Sequence, residues 1–375
     1  MKRVISMDLF EYVKKYGNYT LDEEPFNEAD NAVFSSLSYI DFLDIVASNS
    51  FRKITIKEAV DKYFEKYSEI GNCILSVKYA RRLLEIIKDT KRYGNLYLYN
   101  YAYEARSDQQ FSAITIELNP DLVYVSFEGT DHLVSGWKED FMAIYMFPIR
   151  SQRIAIRYIN KNFLFSSKKI ILGGHSKGGN LAMVAGMYAN YFVRNRIIKI
   201  YSNDGFGLLK EQYESKNYSY VKDKLIHIIP EFSIVGLLLY HGDNHMVVSS
   251  SEKGPVGHDL HTWLVDDKSF VKGELNTFCK ALDDKIMIWL DKYNNSERER
   301  LVLSLFDIFE RANIDSLIDI MDNKKLIFNL IKESKELADE DRKMLKDFAI
   351  MLFNCFTEVK KEEFVDFFED KFNNK

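Results

Sequence analysis

The sequence predicts an α/β fold with a mostly parallel central sheet, and three observations support this. Short apolar runs that suit buried strands alternate with helical patterns between residues 120 and 265. A glycine-rich turn directly follows one of these runs. The chain has 375 residues, of which 46% are hydrophobic and 29% charged, so it can bury a large core. Ligands bind such sheets at the carboxyl ends of the strands, so we expect the chemistry on the loops that follow strands.

Residues 1–95 are predicted to form a helical N-terminal segment that packs on the core. Asp30 is expected to cap a first run, because Val33, Phe34, Leu37 and Ile40 follow it at helical spacing. Two further helices are expected at about 56–67 and 76–87.

Residues 96–270 are predicted to form the α/β core. The spacing of apolar residues predicts a helical stretch at 138–163 and a helix with many small residues after Gly174. The runs that suit strands are at about 96–101, 113–117, 122–127, 169–172, 197–201, 225–229 and 246–248.

Residues 271–375 are predicted to form a helical C-terminal extension, because the strand signals stop at about Phe270. Ser296 and Glu299 have the spacing of a capping box, and Asp339 is expected to cap a helix that ends near Phe356. The sequence indicates no function for this extension.

Composition excludes several classes of function. The formal net charge is −5, so the chain lacks the basic character expected of a nucleic-acid-binding protein. The histidines and acids lack the spacing of a metal-binding motif, and we expect no metal and no cofactor. The sequence does not indicate an oligomeric state.

The cysteines and the N-terminus favour a cytoplasmic location. Cys73, Cys279 and Cys355 lie far apart, which argues against a disulfide framework or a structural zinc site and favours small core residues in a reducing compartment. Charged residues such as Asp8 and Glu11 interrupt what would be the apolar part of a signal peptide. No stretch reaches the roughly 18 apolar residues that a membrane span needs.

The segment Gly174-His175-Ser176-Lys177-Gly178 matches the pattern G-x-S-x-G between an apolar strand and a helix. This is the setting of a nucleophile elbow, the sharp turn that carries the catalytic serine of α/β-hydrolases. The sequence therefore predicts an α/β-hydrolase fold with Ser176 as nucleophile and the backbone N–H of Lys177 as one oxyanion donor. A chance match in a glycine-rich turn is the alternative. A phosphate-binding loop is disfavoured because G-x-x-x-x-G-K-[ST] does not occur.

A serine nucleophile needs a histidine base, which follows the acid and the serine in this fold. His258 is the preferred candidate because it lies in a loop after the last predicted strand. His245 and His241 stay open as alternatives. His227 falls inside a predicted strand, where a core role is expected.

Asp204 is the preferred acid because it follows the predicted strand at 197–201, at the edge of the sheet where Ser176 is expected. A turn or helix cap would explain it equally, since Asp before Gly is common in turns. Asp243 and Asp259 stay open as alternatives. Asp259 adjoins His258, and neighbouring side chains rarely face each other.

Three segments together resemble class 3 (fungal-type) lipases and a bacterial branch of lipase-like proteins of poorly defined function. They are 125–131, with Phe127-Glu128-Gly129-Thr130, 136–141, with Trp137 and Asp140, and 174–182 around the serine. Residues 27–31 and 233–236 are also typical of that branch, so the resemblance covers about residues 20–265.

The resemblance implies that Thr130 supplies the second oxyanion donor through its backbone N–H, with its hydroxyl as a further candidate. Two departures stand out. Glu128 replaces the arginine of the lipases, and Ser233 stands where they place the catalytic acid. Either Asp204 supplies the acid or the triad is incomplete.

Nucleophile, base and oxyanion donors together predict hydrolysis of a small-molecule or lipid acyl ester by a lipase- or esterase-like enzyme. A catalytically silent hydrolase fold that works as a binding or scaffold protein is the alternative. A peripheral membrane contact also stays open, with residues 145–148 as a candidate lid. Apolar residues after the last sheet strands could line an acyl pocket, although core packing is their ordinary role: Ile234, Val235, Leu237, Leu238 and Leu239. Phe206 and Leu208 lie beside the proposed acid and are candidates for substrate contact.

Overall fold

A computed structural model of the chain describes residues 6–68, 75–106, 109–130, 134–242, 244–311 and 337–358. The strands of the main sheet are β1 (Ile54–Thr55), β2 (Tyr97–Arg106), β3 (Gln109–Asn119), β4 (Leu122–Phe127), β5 (Lys169–His175), β6 (Ile197–Asn203), β7 (Leu225–Pro230) and β8 (His245–Val248). A small second sheet contains β9 (Val265–Asp266) and β10 (Ser269–Phe270).

Helices precede, connect and follow these strands. Short 3₁₀ turns occur at Val235–Leu237, Gly254–His258 and Leu260–Thr262. The helices are α1 (Leu9–Tyr16), α2 (Glu28–Leu37), α3 (Ile56–Lys66), α4 (Leu75–Ile87), α5 (Val134–Met142), α6 (Arg150–Phe163), α7 (Lys177–Tyr188), α8 (Tyr191–Arg194), α9 (Lys210–Tyr213), α10 (Lys216–Ser219), α11 (Thr277–Leu290), α12 (Asn295–Arg311) and α13 (Asp339–Glu358).

The main sheet has its strands in sequence order, from β1 at one edge to β8 at the other. β1 to β4 pair antiparallel, and β4 to β8 pair parallel. The parallel strands alternate with helices, as the sequence predicts, and the fold is that of an α/β-hydrolase. Because β4 to β8 run in one direction, the loops that follow them meet at one edge of the sheet.

Apolar side chains cover both faces of the sheet. Residues of α1, α2, α3 and α4 form one core with sheet residues such as Tyr124, Ile171 and Tyr201. Residues of α6 and α7 form the core on the other face, with Val125 and Leu172 of the central strands. Central strands buried on both faces account for the continuous apolar runs of the sequence.

The predicted helices at 56–67 and 76–87 are confirmed as α3 and α4, but the predicted cap of α2 is wrong. Asn27 is the N-cap, and Asp30 lies three residues into the helix, where its carboxylate accepts the Asn27 N–H at 3.0 Å. The same buried carboxylate accepts the Arg92 Nε–H at 2.7 Å. Arg92 lies far from Asp30 in sequence, so spacing within the helix could not reveal this pair.

Two other local predictions are corrected. The predicted helical stretch at 138–163 is two helices, α5 and α6, with a non-helical connection between them. The capping box of α12 is formed by Asn294 and Glu297, whose backbone N–H groups each donate to the other's side chain at 2.8 and 3.0 Å. Ser296 and Glu299 lie inside this helix.

The C-terminal helices pack next to the carboxyl edge of the sheet. Phe278 and Cys279 of α11 share a core with Leu237 and Leu239, which follow β7. The buried position of Cys279 agrees with its predicted core role. Cys73 and the side chain of Cys355 lie outside the described residues. The division into three segments at 95 and 270 stays a prediction.

Candidate active site

Ser176 lies in a sharp turn between β5, which ends at His175, and α7, which begins at Lys177. Its backbone has φ 57° and ψ −129°, a strained conformation for a residue with a side chain. The turn is held by the Ser176 N–H, which donates to the Asn203 carbonyl at 2.9 Å. This geometry is that of a nucleophile elbow, and it places Ser176 at the carboxyl edge of the sheet.

The glycines that flank Ser176 allow α7 to approach β4. A Cβ atom on Gly178 would lie 2.1 Å from the carbonyl oxygen of Phe127, and one on Gly174 would lie 2.4 Å from the backbone of Gly178. Both contacts are far shorter than van der Waals distance and involve backbone atoms. The G-x-S-x-G spacing is therefore required by backbone packing at this turn.

Asp204 and His258 are in direct contact at the same edge. The Nδ1 atom of His258 lies 2.6 Å from Oδ2 of Asp204. Asp204 directly follows β6 and is fully buried, whereas the His258 side chain is about 29% exposed. The structure thus brings together the two residues that the sequence singles out as acid and base.

Ser233 completes the surroundings of Asp204. Its hydroxyl donates to Oδ1 of Asp204 at 2.5 Å, and the N–H of Gly236 donates to the same oxygen at 3.1 Å. The residue at the lipase acid position therefore supports a carboxylate that comes from the neighbouring strand. A charge-assisted hydrogen bond of this kind fixes the orientation of the carboxylate.

The Asp204 carboxylate also sets the proton affinity of His258. Burial lowers the pKa of the imidazole, but the charge and the hydrogen bond of Asp204 raise it more, so the pKa of His258 lies above its ordinary value. A carboxylate can only accept, so Nδ1 of His258 carries the hydrogen of this contact. In the neutral ring, Nε2 is then the basic nitrogen.

The other candidates for base and acid contact different groups. His241 Nε2 lies 3.1 Å from Asp283 Oδ1, and His227 Nε2 lies 3.1 Å from the Gly205 carbonyl oxygen. Asp259 accepts from Nδ1 of His261 at 2.7 Å. His245 begins β8 next to His227, and Asp243 lies outside the described residues.

The two predicted oxyanion donors lie on either side of the elbow. Thr130 is in the loop after β4, where a Cβ atom on the preceding Gly129 would lie 2.7 Å from the His175 carbonyl oxygen. The Thr130 hydroxyl donates to Asp140. Lys177 is the first residue of α7, so its N–H has no acceptor within the helix.

Sequence reasoning missed the role of the Lys177 side chain. The Lys177 side chain is buried. Its Nζ donates to the Gln110 carbonyl oxygen at 3.1 Å and lies 3.5 Å from Oε2 of Glu139. Glu139 in turn accepts the Ser151 N–H at 2.8 Å. This buried ion pair links the start of α7 to α5 and α6. The only sign of this ion pair in the sequence is that Glu139 lies next to Asp140 in the segment that resembles the lipases.

Sequence reasoning also missed the role of His175, which occupies the first x position of the G-x-S-x-G pattern. Its Nε2 lies 2.7 Å from the His258 carbonyl oxygen, and its Nδ1 lies 2.8 Å from the Tyr39 hydroxyl. A carbonyl only accepts, so Nε2–H donates to it and Nδ1 accepts from Tyr39. Burial and the nearby His258 lower the pKa of His175 to about 3, which keeps the ring neutral. His175 thus anchors the backbone of His258.

A buried polar cluster supports the elbow from the opposite face. Asn203 donates to the Gly174 carbonyl at 3.0 Å, and Asn31 donates to Oδ1 of Asn203 at 2.8 Å. Tyr124 lies 2.8 Å from the Asn31 side-chain oxygen. Asn31 belongs to the segment 27–31 that resembles the lipase-like proteins, which was its only signal in the sequence.

The apolar residues proposed for an acyl pocket are mostly core residues. Leu237 and Leu239 are buried in the cluster that contains α11, as is Phe206, and Leu208 is buried in the core beside α7. Ile234 is the most exposed of the set, at 39%. Val235 and Leu238 are half-buried, so these three are at least partly accessible to solvent.

Glu128, which departs from the lipase pattern, and the candidate lid both have contacts that explain their positions. Glu128 is buried and accepts from Gln110 Nε2 at 3.2 Å. Tyr145 of the candidate lid is buried in a cluster with Val302 and Phe306 of α12. Among the helices that the structure describes, none is both long enough and apolar enough to cross a membrane.

Comparisons with solved structures and with family models both give matches. One solved structure is described as the crystal structure of M37 lipase; it is 16% identical over 56% of this chain and 69% of that chain, with a TM-score of 0.37. The search of curated proteins found no match. The predicted link to a bacterial branch of class 3 lipase relatives stays a prediction. A family model described as Mbeg1-like matches residues 87–307, which is more than half of the chain, and the chain therefore belongs to the Mbeg1-like family.

Proposed function

We propose that this protein is a serine hydrolase that cleaves carboxylic acyl esters. One observation carries the proposal: the 2.6 Å contact between His258 and Asp204 lies at the same sheet edge as the strained Ser176. A serine at an elbow, a histidine that holds one nitrogen free and a buried carboxylate are the three parts of nucleophilic acyl transfer.

The proposed reaction has two halves. In the first, Ser176 Oγ attacks the ester carbonyl carbon while Nε2 of His258 takes the hydroxyl proton, and this proton then passes to the departing alkoxide. In the second, His258 takes a proton from water, the resulting hydroxide attacks the acyl-enzyme, and Ser176 leaves with that proton. Asp204 stabilises the imidazolium in both halves without being protonated itself.

The backbone N–H groups of Lys177 and Thr130 are the proposed oxyanion donors. The hydroxyl of Thr130 has a single hydrogen, which is engaged by Asp140. The hydroxyl therefore serves to hold the loop after β4, and the backbone N–H remains for the developing oxyanion. Losing one such donor typically costs about 10²–10³ in turnover.

An ester of a small alcohol or of a lipid is the proposed substrate class. Ile234, Val235 and Leu238 are the proposed acyl-chain contacts, since they keep access to solvent after β7. A cytoplasmic location and a peripheral membrane contact remain predictions from the sequence.

The experiment is hydrolysis of p-nitrophenyl butyrate and p-nitrophenyl laurate by the wild type, Ser176→Ala and His258→Ala. We expect turnover by the wild type and a loss of about 10⁴-fold or more in kcat for each variant. Circular dichroism spectra that match the wild type control for folding. Wild-type rates in Ser176→Ala would contradict the proposal, and the ratio of the two esters reports the length of the acyl pocket.

The pH profile of the same reaction reports the state of His258. The base works only when neutral, so kcat/KM falls as the pH drops through its pKa. Because Asp204 raises that pKa, we expect the acid limb above the ordinary value of about 6.5. A limb well below 6.5 would assign the base to another group.

A silent scaffold is the alternative function, first suggested by Ser233 at the position of the lipase acid. The hydrogen bond from Ser233 to Asp204 weakens that argument, because the acid comes from the neighbouring strand. Absence of turnover together with absence of fluorophosphonate labelling would favour the scaffold.

A further inference from the structure

A cavity of about 940 Å³ opens at the β2 side of the sheet and shares no residue with the candidate active site. Its walls are formed by residues 43–48 and 52–54, by α3, by the middle of β2 and by α6. A volume of this size is in the range of small-molecule sites.

Part of the cavity wall is formed by buried aliphatic and aromatic side chains. Val46, Tyr101, Ile154 and Tyr158 line it, and each is more than nine-tenths buried. Such a wall suits the uncharged part of a ligand.

Asn100 lines the same cavity in an unusual backbone conformation. It has a φ of 53° at the point where β2 shifts its register against β3, and its carbonyl oxygen accepts the Tyr158 hydroxyl at 2.8 Å. Its amide nitrogen is buried and has no hydrogen-bond acceptor among the described residues. A buried donor without an acceptor is unfavourable, so a ligand oxygen that reaches it gains affinity.

The rim of the cavity carries an excess of positive charge. Arg52, Arg157 and Lys161 line it and form no ion pair within the described part of the chain. The protein as a whole carries a formal net charge of −5, so this cationic rim stands against an acidic background.

The acidic residues of the lining do not cancel this rim. Asp44 lies 3.5 Å from Lys66, which is outside the lining, and Glu58 caps α3 through Thr55. The hydrogen bonds from Thr55 lower the pKa of Glu58, and the positive charge of Lys62 lowers it further. The charges of Glu58 and Lys62 therefore offset each other. Lys53 pairs with Glu117 at 2.7 Å. Of the charged residues that line the cavity, one acid, Glu104, then remains to offset the three cations of the rim.

We propose that this cavity binds a phosphorylated small molecule. The phosphate lies between Arg52, Arg157 and Lys161, because guanidinium groups match the geometry of phosphate oxygens and three cations suit a group with more than one negative charge. The uncharged part packs against Val46 and Ile154, and one of its oxygens accepts from the Asn100 amide.

The test is isothermal titration calorimetry of the full chain with AMP, ATP and glucose 6-phosphate at constant ionic strength. We expect at least one probe to bind one to one with a Kd below about 100 μM. The double variant Arg157→Gln/Lys161→Gln is expected to weaken that binding at least tenfold. Arg153→Gln is the matched control, since it removes a charge from the same helix without touching this cavity.

Asn100→Asp separates binding in the cavity from loose attraction to surface charge. Aspartate keeps the size and tolerates a positive φ, but it replaces the amide donor with a negative charge. We expect binding to weaken at least tenfold. Because a carboxylate at this buried position lowers the melting temperature, the control is a circular dichroism spectrum that matches the wild type at the assay temperature. Equal affinity in Asn100→Asp or equal loss in Arg153→Gln would overturn the proposal.

Two further results would also overturn it. One is a Kd above about 1 mM for every probe. In the other, all three probes fail to bind, but the wild type binds phosphatidylglycerol vesicles and Arg157→Gln/Lys161→Gln does not. That result would assign the cations to binding of a membrane surface.

Discussion

The elbow at Ser176 and the pair of Asp204 and His258 lie at one edge of the sheet but are built in different ways. The elbow occupies five consecutive residues, 174–178, and is shaped by backbone atoms of β4, β5 and α7. The pair joins Asp204 and His258, which lie 54 residues apart, through one side-chain contact. The first is therefore encoded locally, and the second depends on how distant loops are placed.

Different interactions hold each region in place. At the elbow, Gly174 and Gly178 permit contacts that no other residue allows. At the pair, side chains do the positioning: Ser233 holds Asp204, and His175 holds the backbone of His258. We therefore expect substitutions of the two elbow glycines to act mainly on stability and substitutions at the pair to act mainly on turnover.

Asp204→Asn is expected to give the largest effect and to act on turnover alone. The asparagine Oδ1 can still accept from Ser233 and Gly236, but its amide donates to Nδ1 of His258 and forces the hydrogen onto Nε2. The wrong tautomer cannot act as a base, and we expect kcat to fall about 10⁴-fold. Ester hydrolysis measures the change, and an unchanged unfolding midpoint in urea is the control. A kcat within tenfold of the wild type would remove Asp204 from the account.

Gly178→Ala tests the other side of the comparison. The new Cβ would meet the Phe127 carbonyl oxygen of β4 at 2.1 Å, so α7 or β4 has to move. We expect a loss of about 3 kcal/mol or more in the free energy of unfolding, at the upper end of overpacking effects.

Gly186→Ala is the matched control in the same helix. Its Cβ would meet only the end of the Ile200 side chain, which can rotate away. The expected change is below about 1 kcal/mol, because alanine also improves helix propensity. Equal stabilities of the two variants in urea denaturation would show that backbone contact does not shape the elbow.

Ser233→Ala is expected to give the smallest effect. It removes one hydrogen bond to the Asp204 carboxylate and leaves the Gly236 N–H in place. A hydrogen bond to a charged group is worth about 1.5–3 kcal/mol. Because only part of this energy stabilises the transition state relative to the ground state, we expect a fall in kcat of roughly tenfold. Ser233→Thr keeps the hydroxyl and should retain the wild-type rate. Loss of activity equal to that of Asp204→Asn would instead mean that Ser233 fixes the whole pair.

Much of the fold could be predicted because its signals are local. Buried central strands give continuous apolar runs, and the elbow gives a fixed glycine spacing. The cap of α2 was misassigned although its signal is local, because Asn27 and Asp30 form a capping box in which Asn27 is the N-cap. The contact of Asp30 with Arg92, far along the chain, had no such signal. The break between α5 and α6 was missed because residues 141–149 are all apolar or aromatic and show no change of pattern, although Pro148 lies among them.

The site was predicted less completely, for the same physical reason. Asp204 and His258 could be proposed from the strands that they follow, but their contact depends on the three-dimensional placement of two loops. His175, Lys177 and Asn203 act through contacts with residues more than 20 positions away. No spacing rule reports such contacts.

The most direct test of the central claim is the reaction of the wild type with a fluorophosphonate probe, followed by intact mass and peptide mapping. The account predicts one adduct on Ser176, no adduct in Ser176→Ala and a large fall in the labelling rate in His258→Ala. No adduct on Ser176 in the folded wild type, or a rate unaffected by His258→Ala, would contradict it.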